Sequence, residues 1–378
     1  MNRFFKGTAS RQRMWSLCLL PMLLAFTPIT AQAETGAASA AVNPKNFQDP
    51  LTTPAARWAH PGTQRVLDLS RADKRLVAVG QRGTILLSDD AGESWRQAAS
   101  PVSVDLTGVN FVNASEGWAV GHDGVLLHSK DGGENWTLSL TAEKVVALLK
   151  SYYTEKAASG DAELQAVLEQ VERDAELQRV PSFFNVHFLS AQRGYVIGTA
   201  GLILETRDGG QTWVPLLDRV ENPDIAHLYD IAGTENDLWL AGELGYAAKL
   251  NTGTGRFEQV NTGYPGTYFT VSVQGSNVLL GGLRGNIFAT SDAGQNWKQI
   301  ESGQRLSVVA STMLSDGTPM VATQNGAVLA APWGTDAAVA GTQPIRRQTL
   351  ALIQADENTA VVATDIGLQR VPLNRPVK

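Results

Sequence analysis

The chain has 378 residues, with 31 Lys+Arg against 37 Asp+Glu, 36 glycines, nine tryptophans and one cysteine. That length holds either two ordinary domains or one large closed all-β domain. The acidic balance argues against a non-specific nucleic-acid binder, and one cysteine excludes an internal disulfide framework.

Arg3, Lys6, Arg11 and Arg13 precede an apolar run from Met14 to Phe26 and the small-x-small triplet Ala31-Gln32-Ala33. This is the pattern of a cleaved secretory signal over residues 1–33, and the run is short for a membrane span. Cleavage would remove Cys18 and four basic residues, leaving 27 cationic against 37 anionic side chains, a net charge of −10. The expected product is a thiol-free, periplasmic, monomeric chain with no transmembrane segment and no Cys-based metal site. Residues 34–50, rich in Ala, Thr and Ser, read as a flexible N-terminus.

From residue 51 a phrase recurs: an apolar strand, Gly, two or three variable residues, Gly, another apolar strand. Its second glycines fall at 83, 124, 201, 245, 285, 326 and 367, mostly 40–44 residues apart. A unit of that length carrying four short strands is a propeller blade. The expected fold is all-β, a seven-bladed β-propeller over 51–378. In unit two, strands a to d read as 106–112, 117–120, 125–128 and 136–140. The stretch Ala55 to Trp58 is expected to supply strand d of blade seven, beside the strand containing Val371, which would hide both open edges of the ring. Gly334 to Pro344 reads as a long loop.

Four units carry a second motif, Ser/Thr-x-Asp-x-Gly-x-x-Trp. The copies are Ser88-Asp90-Gly92-Trp95, Ser129-Asp131-Gly133-Trp136, Thr206-Asp208-Gly210-Trp213 and Thr290-Asp292-Gly294-Trp297. An aspartate here can accept backbone N–H bonds of its own turn, the glycine can take φ > 0, and the tryptophan can bury its face beside the next blade. Repetition around a ring keeps these acids apart, so they are expected to build turns rather than act as general acids or bind calcium.

One step between repeats is 77 residues, and the excess lies at 141–179. There Val145, Leu148, Leu149 and Tyr152 fit one helical face, and Leu164, Val167, Leu168, Val171 and Ala175 another. Ser159-Gly160-Asp161 reads as the turn, with Asp161 an N-cap. This helical hairpin is a d-to-a connection between blades two and three. In a propeller such connections emerge on the same face as the b-to-c turns, which hold Arg82, Asp123 and Arg284. The Asp boxes, in c-to-d turns, lie opposite. Variation thus gathers on one face, where binding surfaces of repetitive scaffolds are expected. Arg82, Asp123, Arg284, Tyr152 and Tyr153 are the candidate partner-binding residues.

No phosphate loop or zinc motif occurs. The five histidines lack metal-ligand spacing, and His187 and His227 read as satisfied structural residues. No cofactor, metal or catalytic set is expected.

The coupling of Val/Ile-Gly-x-x-Gly-x-Ile/Leu-Leu with Ser-x-Asp-Gly-Gly-x-x-Trp, over about residues 55–375, resembles the photosystem II stability/assembly factor family of Asp-box (bacterial neuraminidase repeat) propellers. That resemblance implies a non-enzymatic lumenal or periplasmic scaffold that binds a protein and aids assembly of a membrane or envelope complex. It also implies an arginine patch, for which Arg82 and Arg284 are the matching turn residues. The other turns carry Asp123, Ala200, Leu244, Asn325 and Ile366. The rival reading is a sialidase-like or carbohydrate-binding Asp-box propeller. Sialidases resemble six-bladed rings and need an arginine cluster with a Tyr/Glu pair, and seven repeats weigh against them.

Overall fold

In the computed structural model, which describes residues 48–374, seven antiparallel sheets follow one another around a ring. The expected signal over residues 1–33, with Cys18, and most of segment 34–50 lie outside the described residues. Blade two shows the plan: Leu106–Phe111, Gly117–Gly121, Leu126–Ser129 and Thr137–Leu140 pair in chain order. Every innermost strand carries a register shift near its start, such as between Val66 and Asp68 or between Leu228 and Asp230. A bulge raises local twist and here aims one side chain per blade, such as Leu67, Phe184 or Tyr229, into a central cavity of 230 Å³.

The core lies between blades. The Val77/Val79/Leu87 side of blade one packs on Val109, Phe111 and Trp136 of blade two, and Trp118 and Val120 of blade two pack on Phe188, Leu204 and Trp213 of blade three. Each Asp-box tryptophan therefore packs against the preceding blade. Gly294 shows why the glycine cannot change. Its φ is +90°, and a Cβ there would sit 2.5 Å from the Trp239 ring of blade four.

Ring closure differs from the sequence expectation. Among the described residues blade seven has three strands, Thr349–Gln354, Thr359–Thr364 and Gly367–Pro372. Ala55 to Trp58 instead runs along the outer edge of blade one. There the Arg57 guanidinium donates to the Gln97 carbonyl (2.7 Å), the Trp58 amide donates to Gln97 Oε1 (2.9 Å), and Gln97 Nε2 donates back to the Ala56 carbonyl (2.8 Å). The Gln97 side chain satisfies the segment in both directions, so it stays with blade one. Closure rests on packing of Val66, Leu69 and Leu76 against Ala351, Val361 and Ala363, and on Arg71 donating to the Gln354 and Ala355 carbonyls. Two smaller expectations also change. Pro50, placed in the flexible segment, accepts from the Ser103 amide (2.8 Å). The 334–344 loop contains a short fourth strand of blade six, Val339–Ala340.

Candidate partner-binding face

The Asp-box face is built from closed hydrogen-bond cycles. In blade one, Asp90 Oδ1 accepts from the Ser88 hydroxyl (2.8 Å) and the Ser94 amide (2.9 Å), Oδ2 accepts from the Ser94 hydroxyl (2.5 Å), and Ser88 Oγ accepts from the Gly92 amide (2.8 Å). Blades two, three and five repeat the cycle through Asp131 with Asn135, Asp208 with Thr212, and Asp292 with Asn296. These donors hold Asp90 and Asp292 down to about 2. The polar residue just before each tryptophan completes the cycle, and the sequence reading missed it because Ser, Asn and Thr alternate there.

The opposite face is made by b-to-c turns and d-to-a connections. Arg82, Asp123, Ala200, Leu244 and Arg284 all adopt φ between 52° and 58°, and each precedes a glycine that also has positive φ, the two-residue hairpin geometry that matches strand twist. At Gly83 a Cβ would lie 1.9 Å from the Val102 carbonyl of the outgoing connection. The turn of a blade thus lies directly against its own outgoing connection. Gly285 abuts Gln304 and Gly326 abuts Arg346 and Arg347 in the same way.

That packing assembles an arginine arc. Arg82 and Arg284 are exposed on their turns, and the connections add exposed Arg305, Arg346 and Arg347. None of the five pairs with a carboxylate among the described residues. Reading only the Gly-x-x-Gly turns missed the last three, whose signal is basic residues just upstream of an innermost strand. Asp123 is half-buried on its turn. Apolar side chains share the face. Of nine exposed large hydrophobics among the described residues, Leu177, Val180, Ile225, Leu244, Leu283, Leu306 and Ile366 lie on these turns and connections. The other two, Val214 and Val339, lie on outer strands.

The hairpin is α1, Ala142–Ala157, and α2, Ala162–Glu176. Asp161 caps α2 by accepting from the Glu163 and Leu164 amides. The tyrosine pair does not behave as one. Tyr153 belongs to the buried stripe Val145, Leu149, Tyr153, Ala157, and its hydroxyl donates to Asp218 (2.8 Å). Burial first, then the Asp218 carboxylate, push that hydroxyl well up, so it stays a donor. Tyr153 fastens the hairpin to blade three and offers no surface, because helical spacing turns it inward. Tyr152 is half-exposed, edge-on to Tyr153 at 5.1 Å and under Lys156 Nζ at 5.4 Å.

At the channel, Phe184 and Tyr229 stack at 5.2 Å and Phe269 follows at 5.4 Å. Farther in, Asp68 Oδ2 accepts from the Val109 amide (2.8 Å). One Asp230 oxygen accepts from Asn185 Nδ2 (2.6 Å), and the other from the Val271 amide (2.7 Å) and Thr270 hydroxyl (3.0 Å). These bonds stitch neighbouring blades. Burial pushes Asp68 up to about 7 and Asp230 up to about 6, outweighing their donors, and the Asp230 charge adds to the rise at Asp68. His187 bonds the Gly233 carbonyl (2.8 Å), and His227 Nδ1 accepts from the Ala200 amide (3.1 Å).

The Tyr229 hydroxyl donates to Glu243 Oε1 at 3.0 Å, the kind of pair a sialidase-like mechanism uses. Burial and then Glu243 push the phenol up to about 12. Among the described residues no arginine bonds either group.

A family model described as photosynthesis system II assembly factor YCF48 matches residues 56–146 and 164–331 and skips the middle of the hairpin between them. A photosystem II assembly lipoprotein Ycf48 from Synechococcus sp. (strain CC9902) is 34% identical over 120 residues, 30% of this chain and 35% of that relative's length. Among solved structures, a YCF48 bound to D1 peptide superposes with a TM-score of 0.61 at 16% identity, over 85% of this chain and 99% of the other. YCF48 from Cyanidioschyzon merolae gives 0.60 at 15% identity, over 82% and 97%. At these identities the structures speak for the fold, and the family model speaks for descent: the chain belongs to the photosynthesis system II assembly factor YCF48 family.

Proposed function

We propose that this protein is a non-enzymatic assembly factor that works on the periplasmic side of a membrane, holding a protein subunit of an envelope complex against its turn-and-connection face. The observation that carries the reading is the difference between the two faces. One is closed by repeating Asp-box cycles, and the other gathers seven exposed apolar side chains and five arginines without a carboxylate partner among the described residues. Exposed apolar groups beside unpaired arginines mark protein-binding surfaces. A related YCF48 has been solved with a D1 peptide bound, and the Synechococcus relative is described as a lipoprotein. Both support a protein partner outside the cytoplasm. Arg82, Arg284, Arg305, Arg346 and Arg347 would meet acidic groups of that partner, with Asp123 and Tyr152 at the margin.

The test is co-purification from crosslinked envelopes with Arg346→Glu/Arg347→Glu. These side chains are exposed, so the fold should survive, and recovery of the partner should fall at least fivefold. Unchanged recovery would contradict the reading. The Tyr229–Glu243 pair gives the enzyme reading its own trial. Purified protein should leave a fluorogenic sialoside intact, and turnover abolished by Tyr229→Phe would overturn the non-enzymatic assignment.

A further inference from the structure

Every innermost strand leaves one residue out of its pairing register, and the seven left out meet at the mouth of the central channel. Six are apolar or aromatic, Leu67, Phe184, Tyr229, Phe269, Val309 and Leu350, and Thr107 is the seventh. All seven are half-exposed and line the 230 Å³ cavity. Each is the second residue of its strand, at the end where the connections enter, so this collar opens on the turn-and-connection face. Bulges re-aim side chains in this way where a site needs them.

Below the collar the lining turns acidic. Asp68 and Asp230 belong to blades one and four, three steps apart in a ring of seven, and so approach the channel from nearly opposite sides. Asp230 is saturated: the Asn185 amide group, the Thr270 hydroxyl and the backbone amides of Ile231 and Val271 all donate to it. Asp68 is not. It accepts only from the backbone amides of Val109 and Leu69, which leaves about two of a carboxylate's roughly four lone-pair sites open. No Lys, Arg or His lines the cavity, and neither aspartate has a basic partner among the described residues. Carboxylates taken out of water are ordinarily paired with a cation. Here burial, with the Asp230 charge adding to it, opposes ionisation of Asp68, and no group of the lining relieves it.

The cavity is smaller than the roughly 300–1,000 Å³ of ordinary small-molecule pockets, and it is too narrow for a helix. An apolar collar above a carboxylate with open lone pairs matches one side chain in particular. Lysine has an apolar stem to lie along the collar and a compact ammonium with three donors to place between two negative charges. The aromatic arc of Phe184, Tyr229 and Phe269 adds cation–π attraction on the way in.

We propose that the channel mouth is a socket for one lysine side chain of the bound protein, with Asp68 as its acceptor; this rests on the reading that the turn-and-connection face binds protein. The face then makes two unlike contacts, an arginine arc for acidic groups and an axial socket for a single cation.

The probe is n-butylammonium, the lysine side-chain analogue, with n-butanol as its neutral counterpart. Both are titrated at pH 8 into protein with isotope-labelled Leu and Val methyl groups, where Leu67, Val309 and Leu350 report from the collar itself. We expect saturable methyl shifts at these three residues with butylammonium and at least tenfold weaker binding of butanol. Asp68→Asn, whose amide oxygen still accepts from Val109, should weaken butylammonium at least fivefold. Leu350→Trp fills the collar without removing a side-chain hydrogen bond and should abolish binding, so the site is testable even if Asp68→Asn does not fold. Absence of saturable shifts, equal affinity for the two probes, or full affinity in either folded variant would overturn the proposal. In crosslinked envelopes each variant should lower recovery of the partner at least threefold. Full recovery with both would mean that the socket takes a free amine, and would overturn its assignment to a lysine of the partner. Arg346→Glu/Arg347→Glu should leave butylammonium binding intact, so failure of the socket is separable from failure of the arginine arc.

Discussion

Asp68 and Asp230 stitch the inner strands together at an electrostatic cost. Both are held well above the ordinary 3.8 by burial, so ionising them is harder in the folded ring than in the unfolded chain. Their contribution is fully present below about pH 4 and is lost as pH rises through about 6 to 7. Asp68→Asn removes one such carboxylate and keeps one amide oxygen as acceptor for Val109. Urea unfolding at pH 5 and pH 8 should show the variant gaining on the unaltered protein as pH rises. The gain should be a few kcal/mol at most, since each tenfold change in a proton-binding equilibrium is worth about 1.4 kcal/mol. Parallel pH profiles would show that Asp68 ionises freely. The Asp boxes have the opposite sign. Asp90 and Asp292 are depressed, so their contribution is present above about pH 4 and fades toward pH 2. At Trp136, 6% exposed and edge-on to Phe111 at 5.8 Å, substitution by Ala should cost about 3–5 kcal/mol by the same unfolding measurement.

The strand plan of each blade was legible because glycine turns recur and the apolar runs between them have strand length. The four strands of blade two fall within one residue of the expected bounds. The hairpin was legible from its change of period. Which side of α1 faces the propeller was not, since Tyr152 and Tyr153 differ by only 100° on a helix and both neighbour apolar residues. The structure assigns Tyr153 to the anchor. Tyr153→Phe should therefore loosen the hairpin by about 1.5–3 kcal/mol, the range for a hydrogen bond to a charged group, read as faster amide exchange in α1. Exchange confined to blade seven would show that the Asp218 bond carries nothing.

Closure of the ring was the least legible feature. Among the described residues unit seven has three strands, and a borrowed fourth strand is the usual remedy for an open edge. The borrowing fails here because Gln97 engages Ala56, Arg57 and Trp58 with its side chain and carbonyl, a local satisfaction that periodicity cannot reveal. Among the described residues Gly367–Pro372 lies at a sheet edge, so its amides should exchange faster than those of the innermost strands. The arginine arc was half-legible. Two members sit in the repeating turns, and three sit in connections that fold back on those turns through glycine contacts. The central claim is that one face of this propeller, made of turns and connections, meets the partner. The most direct measurement is site-specific photocrosslinking in living cells, with a photoreactive residue placed at 284 or 346 on that face and at 211 or 295 on the Asp-box face. Adducts to one partner from 284 and 346, and none from 211 and 295, are the expected result; adducts chiefly from 211 and 295 would contradict it.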